Sequence, residues 1–370
     1  MYIQDYSALS RKVNILYADG PMGNKMLVSF AKKRSKVPFL SKLIFVAYQG
    51  YNRTLTKPTT NQAYCSALAS AIFLSTTAIF IRYLTVNYSL PALVLAFWRD
   101  FFVVLTLCPI LFLKHRDLLA LQKGQIVYLV IYGLVLAIFN SFWTISVSLN
   151  GASVATVLSY SSAAFTALLG YWILKESLGW VKIVAVICSM IGCVLVSGAY
   201  TQAAWQSNLA GIVSGVLAGL SYAAYSLMGR KANQRGMNSW ATVLYTFLFA
   251  AFFLLIINLI PGLKVPGAAS RPADLFWLGT DWKGWLPLFL LAAGPTVMGF
   301  GLYNISMRVL PASIANLIAT SEPVFTSIFA FLLFGERLRS VELIGGFLII
   351  GGVLLLRLAR NGRKTTAAQV

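Results

Sequence analysis

Charge is what this chain most conspicuously lacks. Asp, Glu, Lys and Arg make up 11% of its 370 residues, against roughly a quarter in soluble domains. So few polar side chains cannot cover a folded surface in water. A soluble enzyme is excluded on that ground. A disordered chain is excluded too, because 58% of residues are hydrophobic and the mean hydropathy is +0.76. Histidine is close to absent. The single one, His115, sits in the basic stretch Lys114-His115-Arg116-Asp117, so HExxH zinc hydrolysis and His-based triads are out. The four cysteines, Cys65, Cys108, Cys188 and Cys193, lie in apolar runs without CxxC spacing. That excludes a disulfide framework and a zinc site, and leaves them as small buried hydrophobes. No Walker motif is present, so ATP hydrolysis by this chain is excluded as well. No cofactor or metal is expected. Acidic residues number 10 against 30 basic ones, for a net charge of +20. The basic residues gather in loops and at the termini, as in membrane proteins, and no nucleic-acid-binding motif accompanies them. No nucleic-acid partner is expected.

What the chain has instead is apolar length. A helix needs about twenty apolar residues to cross a bilayer, and such runs recur from Tyr64 onward. The reading is ten transmembrane helices, at 64–86, 91–113, 125–148, 151–173, 178–198, 209–229, 239–260, 285–307, 311–334 and 339–357. The runs are too long and too unalternating for barrel strands. The fold class is therefore an all-α integral membrane protein. Residues 1–62 form a basic, poorly ordered cytoplasmic tail suited to anionic lipid. Their best apolar run, Val37 to Tyr48, is too short to span and is broken by Lys42. Met22 and Met26 each offer a later start. The one long connection, 261–284, is rich in Pro and Trp and is placed at a membrane interface. Residues 359–370 form a basic C-terminal tail. With both termini cytoplasmic, that side carries 23 Lys/Arg and the opposite side 6, which favours that orientation. The expected location is the cytoplasmic (inner) membrane of a bacterium.

The chain also resembles itself at an offset of 160 residues. Ala152-Ser153-Val154-Ala155 matches Ala312-Ser313-Ile314-Ala315, Ser161 matches Ser321, and Phe165-Thr166 matches Phe325-Thr326. Glu176 matches Glu336, and Gly192 matches Gly352. The repeat unit is five spans, so the second copy enters the bilayer from the opposite side. Two inverted five-helix repeats, 63–200 and 208–358, are expected, the arrangement that gives a carrier two related gates about a central site.

The second copy carries the recognisable text. Ser321-Glu322-Pro323-Val324-Phe325, Phe334-Gly335-Glu336-Arg337-Leu338 and the glycines at 345, 346, 351 and 352 resemble the EamA family of the drug/metabolite transporter superfamily. Ala96-Phe97-Trp98-Arg99 in the second span and the Gly-rich sixth span fit the same family. The resemblance implies ten helices, cytoplasmic termini, secondary transport and a central cavity between the halves. The first-half counterpart of Glu322-Pro323 is Ser162-Ala163, so a carboxylate role is confined to one half.

Ionisable groups inside spans are costly and each needs a reason. Glu322 lies about a third of the way into its span, and Pro323 disturbs the preceding turn. A carboxylate beside a broken turn suits holding a cationic group or carrying a proton. Arg99 and Asp100 are adjacent, and successive helical residues point about 100° apart. Each is therefore expected to seek a partner on another helix, with Arg99 as a charge-coupling candidate. Glu176 and Glu336 fall at span ends and are read as architectural, meeting water or capping the next helix. Asn140 and Trp143, Tyr160, Tyr222 and Tyr225, Tyr303 and Asn304, Asn316 and Ser321 are the candidates for lining a solute cavity. Each has helix packing or an interfacial aromatic belt as its plainer alternative. Gly211, Gly215 and Gly219 form GxxxGxxxG, which lets another helix approach closely, within the monomer or across a dimer. Monomer and homodimer both stay open.

The expected function is secondary transport or export of small organic metabolites, amino acids or related solutes, by alternating access and with proton coupling as an option. The expected partners are that small-molecule substrate and membrane lipid. A nucleotide-sugar or phosphorylated-sugar carrier is the nearest alternative. Only Arg99 lies deep in a span, which counts against it. An intramembrane enzyme or a non-transporting scaffold is the alternative from another class.

Overall fold

The computed structural model describes residues 58–201, 208–260, 265–334 and 339–367. Most of the N-terminal tail, Glu336 and Arg337 fall outside them. The described residues form helices and no strand. In chain order these are α1 Thr60–Ser75, α2 Thr77–Tyr88, α3 Ala92–Lys114, α4 Lys123–Tyr160, α5 Ser162–Leu174, α6 Trp180–Val196, α7 Leu209–Gln234, α8 Ser239–Leu259, α9 Trp282–Leu291, α10 Val297–Ser306, α11 Ala312–Ala319, α12 Glu322–Phe334 and α13 Ser340–Ala367. Short polar side chains start several of them, by filling the unpaired N–H groups of a first turn. Thr59 and Gln62 cap each other reciprocally ahead of α1. Asn208 accepts from Ala210 N at 2.9 Å, Asn238 from Trp240 N at 2.9 Å, and Asp281 from Lys283 N at 2.9 Å.

Eight helical segments are long and apolar enough to cross a bilayer: Thr60–Tyr88, Ala92–Lys114, Gly124–Val147, Val154–Leu174, Leu209–Gln234, Ser239–Leu259, Trp282–Ser306 and Ser340–Leu358. With 17 residues, α6 is a shorter apolar helix. The stretch expected as a continuous ninth span is instead divided into α11 and α12 at Thr320–Ser321. Two other expected spans are broken as well, at Thr76 and Ser161, and a π-helical turn, Ala292–Thr296, containing Pro295, joins α9 to α10. The breaks at Thr76, Ser161 and Ser321 share a feature. A hydroxyl that bonds back to its own helix competes with the backbone ladder. Thr76 Oγ1 donates to Phe73 O at 2.7 Å, Ser161 Oγ to Leu158 O at 2.5 Å, and Ser321 Oγ to Ile318 O at 2.7 Å. The breaks at Ser161 and Ser321 fall at repeat-equivalent positions. Their backbone bonds recur too: Phe165 N to Ser161 O at 3.1 Å, and Phe325 N to Ser321 O at 3.4 Å.

The helical run of α4 spans 38 residues without interruption, yet it does not run straight. A Cβ built on Gly215 would lie 2.7 Å from both Leu158 Cβ and Ser146 Oγ. Twelve residues of straight helix would separate those two positions by about 18 Å. The chain therefore folds back between them, and α7 lies in the crook. Gly211 meets Asn150, Gly215 meets both arms, and Gly219 meets Ser161 and the Leu158 and Ser159 carbonyls. The GxxxGxxxG ridge thus packs within the chain. A side chain at any of the three would strike atoms closer than 3 Å.

Helices α6 and α13 approach each other backbone to backbone. A Cβ on Gly192 would lie 2.6 Å from Gly345 O, and one on Gly352 would lie 3.0 Å from Ala185 O. As the chain number falls along α6, it rises along α13, so the two helices run antiparallel. An offset of 160 turns the first contact into the second, since 192 becomes 352 and 185 becomes 345. The seam is reciprocal, as contacts across a two-fold axis are.

The described part of the connection between α8 and α9, residues 265–281, is tied to the helices by hydrogen bonds. Asn258 Oδ1 accepts from Ala269 N at 2.8 Å, and Leu93 N donates to Gly267 O at 2.8 Å. Trp98 Nε1 donates to Leu275 O at 2.7 Å, and Trp277 Nε1 to Tyr88 O at 2.9 Å. Trp277 and Trp282 keep their rings largely exposed. The main apolar core is built by α3, α4, α7, α8, α9 and α10.

Candidate functional site

Polar side chains inside apolar helices persist only where they satisfy one another, so the places where they gather define the site. One cluster joins α3 to α4. Arg99 Nε donates to Asp100 Oδ1 at 3.1 Å, Arg99 Nη2 to Asn140 Oδ1 at 2.8 Å, and Asn140 Nδ2 to Asp100 Oδ2 at 3.0 Å. All three are buried. Asn140 on α4 is the partner on another helix that Arg99 and Asp100 were each expected to seek, and the two also pair with each other. Their Cβ directions diverge, but the long guanidinium arm curls back along the helix and Asn140 closes the triangle. Both ends of the Asn140 amide are used in bracing α3 against α4. Trp143, one turn on, is half-buried and joins neither cluster by a hydrogen bond or ring contact among the described residues.

The second cluster is larger and aromatic. Tyr222 stacks on Tyr225 and on Tyr303, each pair 6.0 Å between ring centres. Phe139 packs on Tyr222 at 5.0 Å, and Tyr132 on Tyr225 at 4.7 Å. The hydroxyls are committed: Tyr303 to Ser226 at 2.7 Å, and Tyr225 accepting from Asn304 Nδ2 at 3.1 Å. Asn316 extends the network across α11 to α5 and α7. Its Nδ2 donates to Thr166 and Ser226, both at 3.1 Å, and its Oδ1 accepts from Ser162 at 3.1 Å. Five of the expected cavity residues, Tyr222, Tyr225, Tyr303, Asn304 and Asn316, therefore meet in one network. Tyr132, Phe139, Ser162, Thr166 and Ser226 belong to it and were missed. Ser226 follows Tyr225 directly, and Ser162 had been seen only as the place where the first half lacks a carboxylate.

Glu322 opens α12 just after the break, with Pro323 behind it. Pro323 has no N–H to return to the carbonyl four residues back, and Cys193 Sγ approaches the Thr320 carbonyl at 3.7 Å. The half-buried Glu322 side chain lies near Tyr160, Cys193 and Tyr222. Ser321 is fully buried, with its hydroxyl turned back on its own helix. Among the described residues the ion pairs are Arg99–Asp100 and Lys182–Glu176, and Glu322 belongs to neither.

Glu176 sits at the end of α5, where Lys175 adopts a left-handed backbone (φ 55°). It does not cap the next helix, as one reading of the sequence had it. Its Oε1 accepts from Ala312 N at 2.6 Å, its Oε2 accepts from Ser313 N at 3.3 Å, and the Ser313 hydroxyl donates to it as well. Lys182 Nζ donates to Ser313 Oγ at 2.8 Å and lies 3.9 Å from Glu176. Pro311 cannot cap α11 with its own side chain, so a carboxylate from the other half of the chain does so. Glu336, the counterpart, lies outside the described residues. No group of three His, Cys, Asp or Glu able to hold a metal occurs among the described residues.

The model of the EamA-like transporter family matches twice, over residues 61–198 and 209–358. An uncharacterized transporter of Archaeoglobus fulgidus is 25% identical over 291 residues, covering 77% of this chain and 93% of its own length. An S-adenosylmethionine uptake transporter of Rickettsia felis is 24% identical over 261 residues, covering 70% of this chain and 81% of its own length. A solved crystal structure superposes with a TM-score of 0.66 at 15% identity, covering 81% of this chain and 98% of that one. That last likeness concerns the fold alone.

Proposed function

The chain belongs to the EamA-like transporter family, and from that membership we propose that it moves a small organic metabolite by alternating access between two inverted five-helix halves. It is an integral membrane transporter and not an enzyme. The observation that carries the mechanism is the reciprocal, antiparallel seam between α6 and α13. Two halves related by an axis in the membrane plane present equivalent faces to the two sides of the bilayer. Two access states of similar energy follow, and a solute that binds both can be passed across. The matched breaks at Ser161 and Ser321, and the double family match, support the same reading.

Ten crossings result when α6 and the divided pair α11–α12 are added to the eight long segments. The Lys/Arg distribution supports a reading with both termini on the cytoplasmic side, and a bacterial inner membrane is the location that goes with it. The solute site is the tyrosine–asparagine network between the halves, next to the broken helix that carries Glu322. The substrate class is amino acids and related solutes. The S-adenosylmethionine named for relatives is itself an amino-acid derivative. Glu322 is the coupling group, because it is the carboxylate at that site and, among the described residues, belongs to neither ion pair.

The test is exchange in proteoliposomes, with purified protein and an unlabelled internal pool. Counterflow of labelled S-adenosylmethionine or of an amino acid is the expected result. Absence of exchange across the whole panel would overturn the proposal. Glu322→Gln is expected to remove any dependence of uptake on a pH gradient while leaving the protein folded and monodisperse.

A further inference from the structure

We propose that Glu176, Lys182 and Asn316 form a latch between the two halves, and that the structure holds the access state closed on the side of the α5–α6 turn. This rests on the transporter reading above and adds the device that gates one face. Glu176 and Lys182 belong to the first half, and the helix they hold, α11, to the second. Glu176 accepts from Ala312 N at 2.6 Å and from Ser313 N at 3.3 Å, and Lys182 Nζ donates to Ser313 Oγ at 2.8 Å. One turn further on, Asn316 bonds to Ser162 and Thr166 of α5, both at 3.1 Å. The first half thus grips α11 at two successive turns, and every residue from Ala312 to Ala319 is buried. Both ends of this helix are interrupted: Pro311 precedes it, and the backbone ladder is broken behind it at Thr320–Ser321. A short helix between two interruptions can move as a unit once its ties are released.

The repeat makes the latch one-sided. At the offset of 160, α5 corresponds to α12, and α11 to the last turns of α4. Lys182 then corresponds to Glu342, Asn316 to Thr156 and Thr166 to Thr326. Glu342 Oε2 accepts from Arg339 N at 3.0 Å, at the start of its own helix. Thr326 Oγ1 donates to Ser75 O of α1 at 3.2 Å and to Glu322 O at 3.1 Å. Thr156, Val157 and Leu158 are half-buried, where Asn316 and its neighbours are enclosed. Among the described residues, none of the three counterparts ties α12 to α4 as the originals tie α5 to α11. A lysine beside a capping carboxylate balances its buried charge, and a glutamate in that place would repel it. The α5–α11 face is therefore the better fastened of the two, and the state with that face closed is the resting one.

The experiment measures access to a cysteine placed at Ala315, a buried position one turn into α11, in the full-length chain with its four native cysteines replaced by serine. The probe is a membrane-impermeant maleimide added to inside-out vesicles, which present the α5–α6 turn in the orientation read from the Lys/Arg distribution. With the latch intact, labelling should be slow. Glu176→Gln weakens the cap, and Lys182→Glu installs the residue that the counterpart position carries. Each should speed labelling about tenfold or more, a ratio equivalent to about 1.4 kcal/mol toward the open state. A cysteine placed at Ala250, buried in α8, should stay unlabelled in both variants, which separates opening from unfolding. Labelling unchanged by both substitutions would overturn the inference, as would fast labelling with the latch intact. Labelling of both cysteines together would overturn it too, because the contact would then hold the fold and not a gate. Counterflow with unchanged labelling would remove the latch and leave the transporter standing. Faster labelling without exchange of any solute would remove the transporter, and the gate with it.

Discussion

Arg99 and Asp100 are neighbours in sequence and partners in space, and Asn140 is what makes the pairing possible. Taking one member from a buried ion pair leaves an uncompensated charge and costs about 3–5 kcal/mol. Asp100→Ala should therefore destabilise the protein by about that much, read from its unfolding transition in detergent. An Arg99→Ala/Asp100→Ala double variant should lose less than the sum of the two singles, because the second change removes the stranded charge. A second expectation concerns Glu176. Replacing it by alanine removes the cap on α11 and should cost roughly 0.5–2 kcal/mol. It should also expose a cysteine placed at Ala312 to an impermeant maleimide applied from the side of the α5–α6 turn; unchanged labelling would deny the cap any part in closing that face. At this scale the sequence was read unevenly. That Arg99, Asp100, Glu176 and Glu322 need reasons was legible from their cost in hydrocarbon. Their partners were not, since Asn140 lies 40 positions from Asp100 and Ser313 lies 137 from Glu176, and no local pattern spans such distances.

Among the elements, length and apolarity located the spans well, and the breaks within them poorly. Hydropathy sums over a window and cannot see a hydroxyl folding back on its own helix. Ser321, expected to line a cavity, spends its hydroxyl on Ile318 O at 2.7 Å at such a break. The reversal inside α4 was expected as a boundary near residue 150, and the helical backbone continues through it. The glycine seam between α6 and α13 gives a sharper test of packing. Gly192→Leu would drive a branched side chain into the Gly345 carbonyl and Ile349. Forced side chains in a packed interface cost about 1–3 kcal/mol, so the unfolding temperature should drop. Gly352→Leu, at the mirrored contact, should produce a similar drop. A large effect at one glycine and none at the other would show that the seam is less reciprocal than its distances suggest.

For the molecule as a whole, the offset of 160 residues was the most informative feature of the text, because it already paired Gly192 with Gly352, the two glycines that line the α6–α13 seam. What it left out is how the halves hold each other. They do so by a seam of glycines and, on one face, by a carboxylate from the first half seated on a helix of the second. The seam has a consequence for assembly. A surface that is complementary to its own rotated copy holds two pieces together without any peptide bond between them. The linker between residues 201 and 208 then acts as a tether that guarantees equal numbers of each piece. Genes for the two pieces, cut there and expressed together, should yield polypeptides that co-purify and restore exchange. If each is degraded on its own and neither rescues the other, the tether guides assembly and does more than keep count.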